Sequence, residues 1–156
     1  MKKYLFILSG LGSGGSTESL LVYLSRLSKT NCKIHIITPY IKSQKMFYKF
    51  KDLGISIKLI DAGQFHSSQA SVTPIYKVPF ELIKYFLNKK KIINYIEENS
   101  IDLVHLNSTV ISHLIKLIKK KFRIPVFIFV REIIQINLDD FFIGRFHKKN
   151  IEKWAS

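Results

Sequence analysis

The chain has 156 residues, of which 47% are hydrophobic and 23% charged, and its formal net charge is +14. This length suits a single domain, and the presence of only 7 Gly and 4 Pro residues excludes collagen-like and low-complexity classes. A single cysteine, Cys32, excludes a disulfide framework or a cysteine-based zinc site within the chain and indicates a reducing, cytoplasmic compartment.

Short apolar runs rich in β-branched and aromatic residues alternate along the chain with longer segments of helical period. The runs predict five strands, at Tyr4 to Leu8, Lys33 to Thr38, Ile55 to Asp61, Leu103 to Leu106 and Val126 to Val130. The segments between them predict four helices, at Thr17 to Lys29, Gln44 to Leu53, Pro79 to Asn99 and Thr109 to Phe122. This alternation predicts an α/β domain with a doubly wound parallel sheet covered by helices on both faces.

Two segments fall outside the alternation. Gly63 to Thr73 is polar and weakly patterned, which predicts a loop long enough to be mobile or functional. Leu138 to Trp154 has a helical pattern, and the chain then ends at Ser156, where a sixth strand would be due. We therefore expect residues 1–156 to form part of a longer protein.

A glycine-rich loop, Ser9–Ser16, follows the first predicted strand. Three of its glycines satisfy the G-x-G-x-x-G fingerprint, in which the backbone approaches a pyrophosphate at a helix N-terminus. The acid that this fingerprint places after the second strand is absent, because that position reads Thr38-Pro39-Tyr40, and no Gly-Lys-Ser/Thr follows to make a P-loop. The loop predicts room for a bulky or anionic ligand, and the alternative is a tight turn with Ser16 as N-cap.

Four segments resemble, in order, motifs in the N-terminal half of the retaining GT-B glycosyltransferases of family 4. They are Gly12–Leu21 with its Gly-Gly pair, Lys33–Pro39 ending in Thr-Pro, Ile101–Ser108 with Asp-Leu-Val-His, and Ile124–Glu132 with Ile-Pro-Val. The chain departs from the family pattern at Thr17, where members commonly carry an acid, and at Arg131, where many carry His.

The resemblance implies a Rossmann-like domain that forms the N-terminal, acceptor-side half of a GT-B fold. Such an enzyme transfers a sugar from a nucleotide-sugar to a glycan or lipid-linked acceptor, here in cell-surface polysaccharide synthesis, and needs no bound metal or other cofactor. The donor-binding C-terminal half is not in residues 1–156, so we expect this piece alone to be inactive. The five histidines show no i, i+4 pairing near an acid, and no metal site is predicted.

Eight substrate-binding residues are predicted on this basis, and no catalytic residue is assigned. They are Gly14, Gly15, Ser16, His105, Asn107, Ser108, Arg131 and Glu132. The glycine loop would close over the donor diphosphate, and the planar fork of Arg131 suits a phosphate or carboxylate. The alternatives are a core role for His105, an N-cap role for Ser108 and an ion pair for Glu132.

Lysines supply most of the positive charge, since only four of the 25 basic residues are Arg. Lys89, Lys90 and Lys91 follow an apolar stretch, residues 80–87, in the third predicted helix, and a second cluster spans residues 116–121. Such a helix can lie at an anionic bilayer, so we predict peripheral contact at the inner face of the cell membrane. A solvated lysine surface, enriched by an AT-rich genome, is the alternative.

Two other functional classes stay open. One is a stand-alone nucleotide- or phosphate-binding α/β module without transferase activity. The other is a basic nucleic-acid-binding domain, although the scarcity of Arg and the lack of helix-turn-helix spacing or an aromatic RNA-binding motif argue against a nucleic-acid partner.

Overall fold

The computed structural model describes residues 1–65, 67–68 and 71–129. The strands are β1 (Lys2–Ile7), β2 (Cys32–Thr38), β3 (Ser56–Leu59), β4 (Ser67–Ser68), β5 (Ser71–Val72), β6 (Leu103–Leu106) and β7 (Val126–Ile128). The α-helices are α1 (Gly15–Leu27), α2 (Gln44–Asp52), α3 (Val78–Glu98) and α4 (Leu114–Lys121). Short 3₁₀ turns, Ile75–Lys77 and Thr109–Ile111, precede α3 and α4.

Five strands form one parallel sheet in the order β3-β2-β1-β6-β7. In the register, Tyr4 of β1 lies opposite Ile34 of β2 on one side and opposite Leu103 of β6 on the other. This order is that of a doubly wound, Rossmann-like sheet, so the predicted fold class is confirmed. The small pair β4 and β5 is antiparallel and separate from the main sheet.

Two hydrophobic cores lie on opposite faces of the sheet. Successive side chains of a strand point to opposite faces, so Phe6 of β1 packs in the core with α1 and α2, whereas Leu5 packs in the core with α3 and α4. Leu24, Phe50 and Ile92 are fully buried on the helix side of these cores. Burial on both faces explains why the strands are nearly continuous in apolar residues.

The predicted fourth helix starts later than the sequence pattern indicates. Residues Thr109–Ile111 form a 3₁₀ turn, in which the amide of Ser112 donates to the carbonyl of Thr109 (2.9 Å), and α4 begins at Leu114. Three consecutive β-branched residues, all buried, occupy this turn, and such residues have low helix propensity. The helix predicted at Leu138 to Trp154 lies outside the described residues.

A buried histidine links the sheet to α3. His35 of β2 is buried, and its Nδ1 lies 3.0 Å from the hydroxyl oxygen of Tyr95. Its Nε2 has no hydrogen-bond partner within the described part of the chain. Burial lowers the pKa of His35, and the positive charges of Lys33 and Lys3 lower it further.

The lowered pKa of His35 predicts a pH-dependent stability. Because the unfolded chain takes up this proton at a higher pH than the folded chain, the free energy of unfolding should decrease as pH falls below about 6.5. Urea unfolding of the native chain and of His35→Phe between about pH 7.5 and pH 5 measures this slope, and the variant should show a shallower one. Equal slopes in the two proteins would contradict the assignment.

Candidate functional site

The carboxyl ends of β1 and β6 form the centre of the candidate site. The strand order reverses between these neighbours, because the chain leaves β1 toward β2 and leaves β6 toward β7. Doubly wound sheets bind ligands at this position, and we call it the switch-point crevice. The glycine-rich loop follows β1, and Asn107 follows β6; the amide of Asn107 donates to the carbonyl of Ile7 (2.9 Å) and holds the two strand ends together.

The glycine-rich loop is anchored by Leu11. This side chain is fully buried, its amide donates to the carbonyl of Tyr40 (3.1 Å), and its carbonyl accepts from the amide of Lys42 (2.8 Å). A side chain at Gly10 would overlap the ring of Tyr40. A larger residue at position 10 would therefore require the exposed ring of Tyr40 to move.

The remaining glycines of the loop face open space. A Cβ atom added at Gly12, Gly14 or Gly15 would meet no atom within 4 Å. Gly14 is the N-cap of α1 and no side chain caps this helix, so the alternative in which Ser16 is the N-cap is wrong; Ser16 lies in the first turn. Gly14, Gly15 and Ser16 thus surround an exposed helix N-terminus, whose partial positive charge favours an anion.

A residue that the sequence patterns did not single out, Gln64, ties the two sides of the crevice together. Its side-chain amide donates to the carbonyl of Ser9 (2.5 Å), and its backbone amide donates to Oε2 of Glu81 (2.7 Å). The next amide, that of Phe65, donates to the carbonyl of Val110 (3.0 Å) in the turn after β6. The segment Asp61–Phe65 therefore braces both the glycine-rich loop and the β6 end of the crevice.

The other predicted residues divide between two places. Ser108 is buried beside the crevice, and its hydroxyl accepts from the amide of Val110 (3.3 Å), which is the N-cap geometry given as its alternative. His105 instead lies in an aromatic pocket on the α1 face, with its ring centre 5.1 Å from that of Phe6 and 6.0 Å from that of Phe129. The predicted residues Arg131 and Glu132 lie outside the described residues.

Within the described ranges, no group of three or more His, Cys, Asp or Glu side chains is arranged to hold a metal ion. Among the described residues, the crevice presents backbone amides, the N-terminus of α1 and the polar side chains of Ser16 and Asn107. Such groups bind a phosphate or sugar hydroxyls.

Comparison with known proteins identifies the fold. The chain is similar to the crystal structure of MurG from Acinetobacter baumannii, a GT-B glycosyltransferase, with a TM-score of 0.54 and 17% identity over 96% of this chain. This likeness confirms the Rossmann-like α/β fold. The chain spans 39% of the length of that MurG chain. No protein-family model matches the sequence, and no curated protein matches it either.

Proposed function

We propose that this chain is the acceptor-side half of a glycosyltransferase, which transfers a sugar from a nucleotide-sugar to a glycan or lipid-linked acceptor in cell-surface polysaccharide synthesis. The observation that carries the proposal is the glycine-rich loop at the switch-point crevice. Its open positions at Gly12, Gly14 and Gly15 leave room for a group as large as a diphosphate beside the N-terminus of α1.

The roles of the two sides of the crevice follow from their chemistry. Gly14, Gly15 and Ser16 approach the donor diphosphate with backbone amides, and Asn107 faces the acceptor from the end of β6. Ser108, which is buried, supports this end of the site as the N-cap of the turn that follows. Arg131 and Glu132, which follow β7 in the sequence, are assigned to a phosphate and a sugar hydroxyl. The order of the four matching segments supports the retaining family 4 as the specific membership.

The enzyme is proposed to work in the cytoplasm, at the inner face of the cell membrane. Helix α3 exposes Phe80, Ile83, Phe86 and Leu87, each more than half accessible, next to Lys89–Lys91. Exposed apolar patches of this kind mark membrane or protein contacts, and the lysines match anionic lipid headgroups. No helix in the described part of the chain is both long and apolar enough to cross a membrane.

The alternative function is a stand-alone phosphate-binding module without transferase activity. The same glycine-rich loop would serve it, because an anion site at a helix N-terminus needs no second domain. The two functions differ in what the chain needs in order to act. A transferase needs the donor-binding half, whereas a module binds its ligand with residues 1–156 alone.

The deciding experiment uses the complete reading frame that contains this chain. We expect the longer protein to release nucleoside diphosphate from one member of a panel of nucleotide-sugars when membrane lipids or glycans are supplied as acceptors. Residues 1–156 alone should release none. A reading frame that stops after Ser156, together with tight nucleotide binding by the chain alone, would overturn the transferase and favour the module.

A further inference from the structure

A large apolar groove runs between α3 and α4, on the face of the sheet opposite α1. Its volume is about 790 Å³, within the range of cavities that bury small-molecule ligands. The floor consists of Phe65, Ile93 and His113, which are all buried, and the walls include Tyr85 and Leu117. The rings of Phe65 and Tyr85 meet the His113 ring edge-on, with centres 4.9 and 5.2 Å away, so the floor is a fixed aromatic surface.

Lysines surround this groove on both sides: Lys89 and Lys90 of α3, and Lys116, Lys120 and Lys121 of α4. Among the described residues, Lys121 pairs with Glu97 (3.2 Å), whereas Lys90, Lys116 and Lys120 form no ion pair. The groove is therefore apolar inside and positively charged at its edge.

Helix stability explains only part of this arrangement. Lys120 and Lys121 lie in the last turn of α4, where a positive charge is favourable, but the other lysines of the groove do not. Lys116 is in the first turn of α4, where a positive charge opposes the helix dipole, and Lys89 and Lys90 are in the interior of α3, away from either end. Lys89 also lies over the ring of Phe86, 4.6 Å from its centre, which continues the apolar surface outward from the groove. The arrangement matches an occupant with a hydrocarbon body and an anionic end.

We propose that this groove binds the hydrocarbon chain of a single anionic lipid, with the lipid phosphate held by Lys89, Lys90, Lys116 and Lys120. The inference rests on the membrane contact proposed above and gives that contact a specific site. A free phosphate would leave the apolar wall of the groove, including the exposed Leu82, in contact with water, and a neutral apolar segment would leave the lysine charges unmatched. An anionic lipid satisfies both features.

The test uses dodecyl phosphate below its aggregation concentration, titrated calorimetrically into the 156-residue chain. Binding should weaken at least about tenfold in Lys116→Gln/Lys120→Gln, because each lysine near a lipid phosphate contributes roughly fivefold and two are removed. The matched control Lys49→Gln/Lys51→Gln removes the same charge from α2, on the other face of the sheet, and should bind like the native chain. Asn94→Trp, at an exposed position lining the groove, should abolish binding by filling it.

Each other outcome overturns the groove site. If the two double-lysine variants bind dodecyl phosphate equally, the loss of affinity comes from the lower net charge of the protein and not from the groove. If inorganic phosphate binds as tightly as dodecyl phosphate, the hydrocarbon chain has no role in binding. Co-sedimentation with phosphatidylglycerol vesicles separates this failure from that of the membrane contact. Vesicle binding that is lost in Lys89→Gln/Lys90→Gln/Lys91→Gln but retained in Asn94→Trp would support the membrane contact and overturn the groove site. Transfer of sugar to a soluble acceptor depends on neither surface, so it tests the proposed transferase activity separately.

Discussion

Replacing Gly15 by Val is expected to reduce sugar transfer at least about 100-fold in the complete protein, because displacing a bound group by an ångström can cost that much. The added side chain meets no protein atom in this structure, since the space beyond Gly15 is open. Gly15 is also exposed and begins α1, so the substitution should leave the temperature of unfolding unchanged. The loss would come from the space that the ligand needs.

The matched control for this substitution is Ser19→Val, one turn further along the exposed side of α1. It introduces the same β-branched side chain in the same helix and should retain transfer. Turnover and thermal unfolding of both variants are compared with the native protein. Full activity of Gly15→Val would remove the ligand role of the loop, and a matching loss in Ser19→Val would assign the effect to the helix.

The sheet and its helices could be predicted from the sequence because each element carries its own pattern. A strand that is buried on both faces has a continuous run of apolar residues, as in β2. In α1, the spacing of Leu20 and Leu24 indicates which side of the helix is buried. The alternation of strands and helices predicts that the strands are parallel, whereas their order is known from the structure. The local pattern and the fold agree over these elements.

The details of the site depend on contacts between distant parts of the chain, which no local pattern contains. Gln64 and Ser9 are 55 positions apart, and their hydrogen bond forms only because α3 positions the loop after β3. The glycine at position 10 fits a ligand-binding fingerprint, and in the structure the ring of Tyr40 lies where a side chain at this position would be. The family resemblance predicts His105 as a substrate-binding residue together with Asn107, but its ring packs with Phe6 and Phe129 in a separate pocket.

Gly63 lies where the segment Asp61–Phe65 contacts α3, and replacing it is expected to have the second large effect, on the stability of the protein and of the glycine-rich loop. Its φ is +73°, and a Cβ atom at this position would overlap the carbonyl oxygen of Glu81, in the first turn of α3. Gly63→Ala should therefore push the loop away from α3 and break the hydrogen bonds of Gln64 to Glu81 and to Ser9. The glycine-rich loop would lose its support, and amide hydrogen exchange in residues 10–15 should become faster.

Gly54→Ala is the matched control, because Gly54 has a φ of +74° with open space around it. It should cost about 1–2 kcal/mol for the left-handed backbone alone, whereas Gly63→Ala should cost a further 1–3 kcal/mol, roughly, for the overlap. Urea unfolding measures both losses. Equal losses, with unchanged exchange in the glycine-rich loop, would mean that the contact between Gly63 and α3 does not hold the crevice in place.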